Sequence, residues 1–388
     1  MTRAYIPLSV PNLKGNELEY VIDAVKTEWV STGGSYINQF EEKIADFVGV
    51  NEAVAVQSGT AALHLSLMEA GVTYGEEVIA PTLTFIAAVN PIRYCGAEPV
   101  FMDCDDSLCM DPVKLEKFLR EECSFQNGIV TNRLSGKRIR AIVIVHVFGN
   151  LADMAEILRI ADEFQLKVIE DATEALGSVY TEGELTGMHA GTLAHYGAYS
   201  FNGNKIMTTG GGGMIVARDQ NELHHMRYLS TQAKDNPTNF IHGDVGYNYR
   251  MTNLQGALGL GQVEQLDTFV TTKKVNYELY RDLLKDNKEV ELLPFREGTA
   301  PNYWFYALFI KGNRDIQAIM DALQEKQIQT RPIWGLIHEQ KPYQGTQAYE
   351  VEKAIHYAQH VINIPCSTNL TEEDVRYVVS CLNDLLAE

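Results

Sequence analysis

A chain of 388 residues, 45% hydrophobic and 21% charged, has the composition of a folded globular protein and exceeds one typical hydrophobic core. Its formal charge of -19 sets it against nucleic acid and anionic membrane, because phosphate surfaces select basic partners; an anionic substrate must meet a locally positive pocket. The six cysteines (Cys95, Cys104, Cys109, Cys123, Cys366, Cys381) contain no CxxC pair, which argues against zinc and structural disulfides and for a reduced, cytoplasmic setting.

The N-terminal "MTRAYIPLSVPNLKG" lacks the long apolar stretch of a signal peptide, and the longest apolar run, "AIVIVHVF" at 141–148, is too short to span a bilayer. Apolar residues spaced by three and four predict helices in "NELEYVIDAVKTEWV" and "YINQFEEKIADFVG", the second stopped by Gly49. Short apolar runs at 53–57, 77–81, 98–103, 141–146 and 167–172 then alternate with amphipathic stretches. Near-continuous hydrophobic strands separated by helices predict an α/β fold, a mostly parallel sheet sandwiched by helices. The polar segments 127–137 and 233–243 read as surface loops. From Thr252 to Leu284 the pattern reads as one long helix; "YWFYALFI" then reads as a strand, "DIQAIMDALQEKQ" and "TEEDVRYVVSCLNDLLAE" as helices. The chain therefore divides into a large α/β domain with an N-terminal arm (1–250) and a linking helix with a small α+β domain (251–388).

In open α/β sheets ligands bind beyond the carboxyl ends of the strands, so the polar residues there carry the functional candidates. After "AVAVQ", Gly59 and Thr60 open a helix whose free N–H groups suit a phosphate, the alternative being a simple N-cap by Ser58 or Thr60. After "EVIAP", the Phe85 ring is placed to lie on a flat ligand or to join the core. After "KVIE", Asp171 can pair with a protonated heterocycle nitrogen; with Glu174 three residues on, a helix capping box fits the spacing equally well. In "AHYGAYSFNGNK" a strand delivers Ser200, Asn202 and Lys205 into a tight turn, and a lysine in a dry pocket can form a Schiff base. Phosphate cradle, aromatic ring, strand-end Asp and loop Lys, in that order, suit pyridoxal 5'-phosphate. The run Gly210 to Gly213 follows the lysine and precedes a strand, so it matches neither a Walker loop nor a Rossmann loop. Positive φ angles and close backbone approach around the Lys205 turn explain it better.

These segments, with "GYNYRMTNLQGALGLGQ", "TRPIW" and "WVSTGG", resemble the DegT/DnrJ/EryC1/StrS family of pyridoxal-phosphate sugar aminotransferases across essentially the whole chain. The resemblance implies aminotransferase fold type I and assigns roles by position. Lys205 forms the Schiff base with the cofactor, Asp171 contacts its pyridine nitrogen and Phe85 stacks on its ring. Gly59, Thr60 and Ser200 hold its phosphate, joined by Asn248 from the second subunit of a homodimer with shared sites. Glu174 stands where many members have Gln beside the cofactor hydroxyl, and Gly211 where many have Glu. Trp29, Ser31, Thr32 and His338 are candidates for the sugar nucleotide, with Arg250 and Arg331 supplying positive field; core packing of Trp29 and a structural role for His338 are their alternatives. "HVFGNLADM" and "DATEALGS" look most like the LegC-type branch. That branch implies transfer of an amino group from L-glutamate to C4 of UDP-4-keto-6-deoxy-N-acetylglucosamine, for legionaminic acid or related surface glycans. GDP-perosamine synthases, acting on GDP-4-keto-6-deoxymannose, are the near alternative. A lysine-less dehydratase or a non-catalytic regulatory protein of the same fold is disfavoured by Lys205 and Asp171.

Overall fold

A computed structural model describes residues 4–236 and 238–387, so Glu388, the last residue of the expected terminal helix, lies outside it, as do the first three residues of the chain. Its frame is a ten-stranded sheet. Across the main path the order is Val54–Val56, Gly213–Ala217, Tyr196–Ser200, Lys167–Asp171, Arg138–Val145, Glu77–Pro81, Glu98–Met102 and Ala348–Tyr349. Neighbours are parallel from Tyr196–Ser200 onward, whereas Gly213–Ala217 runs antiparallel to both strands beside it. The strands are buried nearly end to end, as expected of a sheet covered on both faces. None of the described helices is long and apolar enough to cross a membrane.

The C-terminal part builds a second, antiparallel sheet in the order Val290–Leu292, Tyr306–Ile310, Val361–Ile364, Arg331–Pro332. The chain returns from it to the large sheet, where Ala348–Tyr349 pairs with Phe101 and Met102. Asp103, fully buried just past that strand, fastens the junction. It accepts the Lys114 ammonium at 2.7 Å and the amides of Glu352, Lys353 and Ala354 at 3.0, 3.0 and 2.8 Å. Burial alone would raise its pKa, but Lys114 and the three amides overcome this and hold the carboxyl below its ordinary value. Asp103 thus adds stability above the unfolded carboxylate range that is lost as pH falls through its lower folded value. Asp103→Ala is expected to cost about 3 kcal/mol in urea unfolding at pH 7, with the deficit shrinking in acid.

Three expectations are corrected. The long helix is two, Asn253–Val263 and Leu266–Leu284. Tertiary contacts make the break: Glu264 accepts hydrogen bonds from Asn16 and Tyr20 at 2.8 and 2.7 Å, and Gln265 donates to Glu17 at 2.7 Å. The first of the two lies so close to helix Ser35–Val48 that a Cβ on Gly256 would come within 2.8 Å of the Ile37 backbone. The two segments read as loops each hold strands: Ile129–Asn132 pairs with Cys123–Gln126, and Lys234–Asn236 with Ile241–His242.

Candidate active site

The carboxyl ends of the large-sheet strands open into a cavity of about 370 Å³ lined by Gly59, Thr60, Phe85, Asp171, Glu174, Ser200 and Lys205, seven of the residues singled out above. A larger hollow of about 670 Å³ lies elsewhere, lined by Asp105, Asp106, Asp153, Glu182, Glu184 and Glu297 around Arg296. That acidic wall repels a phosphate, so size does not mark the site.

Helix Gly59–Glu69 starts on the cavity floor, and Ser58 caps it by accepting the Ala61 amide at 3.1 Å. The N-cap reading and the phosphate reading are therefore compatible: the cap uses the third amide, and those of Gly59 and Thr60 have no intrahelical partner. A Cβ on Gly59 would stand 2.9 Å from Ser200 Cβ and from Thr173 Cγ2, so the space beside the helix end exists only for glycine. In the glycine run, Gly210 and Gly212 take φ of 77° and 155°, and a Cβ on Gly213 would come within 2.5 Å of the Ser58 backbone. The positive φ angles agree with the sequence reading, but the close approach of Gly213 is to the helix start at Ser58 and Gly59 rather than to the Lys205 turn.

Asp171 ends its strand 3% exposed and accepts the Thr173 amide at 3.0 Å. Burial pushes its pKa up. The capping-box alternative is not realised, because residues 173–177 form turns rather than a helix. Glu174 instead accepts the Phe148 amide at 2.8 Å through Oε2 and faces Lys205 Nζ at 3.6 Å through Oε1. Phe148 holds a left-handed φ of 59° in this bond. Burial raises the Glu174 carboxyl to about 7, against the opposing pull of Lys205 and the Phe148 amide. Lys205, its side chain 11% exposed, also lies 4.2 Å from the centre of the Trp304 ring. One buried carboxyl and one indole face thus meet a single amine, whose charge also acts on buried Asp171 in the same cavity. Glu174→Gln keeps an acceptor for Phe148 but removes the group that titrates near 7. Any step in the pH profile with that midpoint is expected to vanish in the variant, as stopped-flow kinetics from pH 5.5 to 9 will show.

Several candidates fall outside this cavity. Trp29 is 61% exposed, which rules out the core-packing alternative, and lines a separate hollow of about 410 Å³. The turn carrying Trp29, Ser31 and Thr32 is pinned by Asn253, which donates to the carbonyls of Trp29 and Ser31 at 2.7 and 2.6 Å. Arg250 also lies outside the cavity lining: its guanidinium binds the Ala55 carbonyl and Glu41, a carboxylate it shares with Arg227. His338 Nδ1 is engaged by Thr82 Oγ1 at 2.6 Å, and Arg331 is exposed on a short strand. Asn248 is also exposed and accepts from Gln232 at 3.0 Å. Conversely, Trp304, Phe305 and Trp334 line the cavity without having been singled out. The aromatic run that carries the first two was the only available signal, and it read as strand.

The arrangement fits pyridoxal 5'-phosphate on its own geometry. A glycine-cleared helix start suits the phosphate, Phe85, 53% exposed at the rim, offers a flat face, and buried Asp171 wants a cationic ring nitrogen. The comparisons agree. A family model described as DegT/DnrJ/EryC1/StrS aminotransferase family matches residues 11–383. GDP-perosamine synthases of Escherichia coli O157:H7 and Caulobacter vibrioides are 33% and 35% identical, covering 99% and 98% of this chain and 99% and 98% of their own. Among solved structures, the aminotransferase TlmJ from Streptoalloteichus hindustanus superposes with a TM-score of 0.89 at 25% identity, covering 99% of each chain. DesI, solved in the presence of its TDP-sugar product, gives 0.87 at 26%, covering 100% of this chain and 94% of its own. Site and likeness together make this chain a member of the DegT/DnrJ/EryC1/StrS aminotransferase family, a pyridoxal-phosphate-dependent sugar aminotransferase.

Proposed function

We propose that the protein moves the amino group of L-glutamate to C4 of GDP-4-keto-6-deoxymannose, the perosamine-type reaction. The observation that carries this reading is the end-to-end similarity to two GDP-perosamine synthases. It supports this substrate better than the LegC-type, UDP-linked one that short motifs favoured, since motifs around a shared cofactor report the cofactor rather than the nucleotide.

Bound pyridoxal phosphate supplies an electron sink that makes the proton on the amino-bearing carbon removable. In our reading Gly59, Thr60 and Ser200 hold its phosphate and Phe85 covers its ring. Asp171 keeps the ring nitrogen protonated, and Lys205 carries the proton between donor or acceptor carbon and cofactor. Glu174 stands beside that amine as its proton partner. A homodimer completes the site: Asn248, exposed and outside its own cavity, is proposed to reach the partner subunit's phosphate. Trp29, at its separate hollow, and Ser31 and Thr32 on the same turn are proposed to receive the nucleotide, with exposed Arg331 as a further cation. The six free thiols support a cytoplasmic setting.

Purified enzyme is to be given L-glutamate with either GDP-4-keto-6-deoxymannose or UDP-4-keto-6-deoxy-N-acetylglucosamine, and 2-oxoglutarate measured. The proposal expects release with the GDP sugar. Release with the UDP sugar alone overturns the nucleotide assignment, and release with neither overturns the substrate class.

A further inference from the structure

A second lysine is buried behind the first. Lys273 lies on helix Leu266–Leu284, 3% exposed, with no part in the cavity lining. Its Nζ donates to the carbonyl of Trp304 at 3.0 Å and to that of Cys366. Among the described residues its hydrogen-bond partners are carbonyls, not carboxylates, and burial lowers its proton affinity. Burying an amine without an anion is costly, and an apolar side chain of equal length would fill the space at less expense to the fold. What the amine adds is a grip on Trp304.

Trp304 is held at three points. Its amide donates to Asn302 Oδ1 at 2.9 Å, its carbonyl accepts from Lys273, and its indole N–H donates to the Asn204 carbonyl at 2.7 Å, one residue before Lys205. Its ring stacks on Phe305 with centroids 4.0 Å apart, lies 6.1 Å from the Phe148 ring, and meets Lys205 Nζ at 4.2 Å. Asn302 in turn donates to the Glu174 carbonyl at 2.9 Å, so the same strand end bears on the carboxylate facing Lys205. Both lysines border one small void with Ser9, Thr208, Gln262 and Ser367.

We propose that Lys273 is a positioning residue for the reaction: by pinning the Trp304 main chain it sets the indole face against Lys205 and the turn that aims it. The proposal rests on Lys205 being the lysine bonded to the cofactor, and is independent of which sugar nucleotide is used. A cation held against an indole face is stabilised enough to change an equilibrium about tenfold, so loss of the grip has a spectroscopic consequence. The groups facing Lys205 from the other elements are Glu174 and Asp171, and both stay in place in the variants below.

The test uses cofactor-loaded protein and the visible absorption band of bound pyridoxal phosphate. Lys273→Met is expected to weaken cofactor retention about tenfold and to move the pH midpoint of the band downward. Trp304→Phe is expected to do the same, and the double variant to match either single one, since residues acting through one contact are not additive. Lys274→Met, the exposed neighbour, is expected to match the parent. A melting temperature lowered by Lys273→Met with band, midpoint and retention at parental values overturns the proposal, as does full additivity with Trp304→Phe. If Lys273→Met does not fold, Lys273→Gln takes its place with the same outcomes. A band that persists in Lys205→Ala would sink the assignment of Lys205 itself, and this proposal with it; a band lost there but unmoved by Lys273→Met sinks this proposal alone.

Discussion

Lys205→Ala is expected to lower kcat by about four orders of magnitude and to leave the protein folded. Lys205 closes a turn in which its amide donates to the Asn202 carbonyl at 3.0 Å, a bond that alanine retains. Among the described residues, the side chain's contacts are its approach to Glu174 at 3.6 Å and to the Trp304 ring at 4.2 Å, neither of them a hydrogen bond. Removing it leaves the raised carboxyl of Glu174 without its nearest cation, so that group titrates still higher and stays neutral at pH 7. The folded state is therefore spared an unpaired anion, and the melting temperature should stay within a few degrees of the parent. A variant that kept a tenth of the parental kcat would show that another base carries the proton.

Asp171→Asn is expected to separate activity from stability in the opposite directions. The carboxylate is fully buried, burial raises its pKa, and Thr173 is its neighbour in hydrogen bonding. As an acid with a raised folded pKa, it costs the cofactor-free protein stability once pH exceeds the unfolded carboxylate value, and an amide removes that cost. Cofactor-free Asp171→Asn should melt at or above the parental temperature at pH 7. Turnover should fall about 10²- to 10³-fold, the usual effect of deleting one oriented charge at a reacting centre. Calorimetry with and without cofactor, beside steady-state kinetics, checks both halves. A destabilised apo variant would mean that Asp171 serves the fold.

Much of the site was legible because its residues are local to strand ends. Asp171 ends its strand, and Gly59 and Lys205 stand within a short turn of theirs, so the rule that ligands gather beyond the strands finds them without a fold in hand. Partners distant in the chain were not legible. Arg250 is bound by Glu41, 209 positions away, and nothing in "NYR" announces that partner. Trp304 was hidden for a different reason: "YWFYALFI" carries strand-forming residues throughout, yet only Tyr306–Ile310 pairs, and the two aromatics before it turn into the cavity. The break at Glu264 and Gln265 carries no proline or glycine signal, because contacts from Asn16, Glu17 and Tyr20 make it. Asn253 shows the same limit from the other side. It stands near the start of a segment read as plain helix, yet its side chain and amide hold the Trp29 turn in place.

One amine among all the lysines of the chain, that of Lys205, is expected to bond the cofactor. Borohydride reduction of the cofactor-loaded protein, followed by proteolysis and peptide mass analysis, tests it directly. The reduced cofactor is expected on the peptide containing Lys205, in stoichiometric yield and in no other peptide. Label on the peptide containing Lys273, or no stable label after reduction, would contradict it.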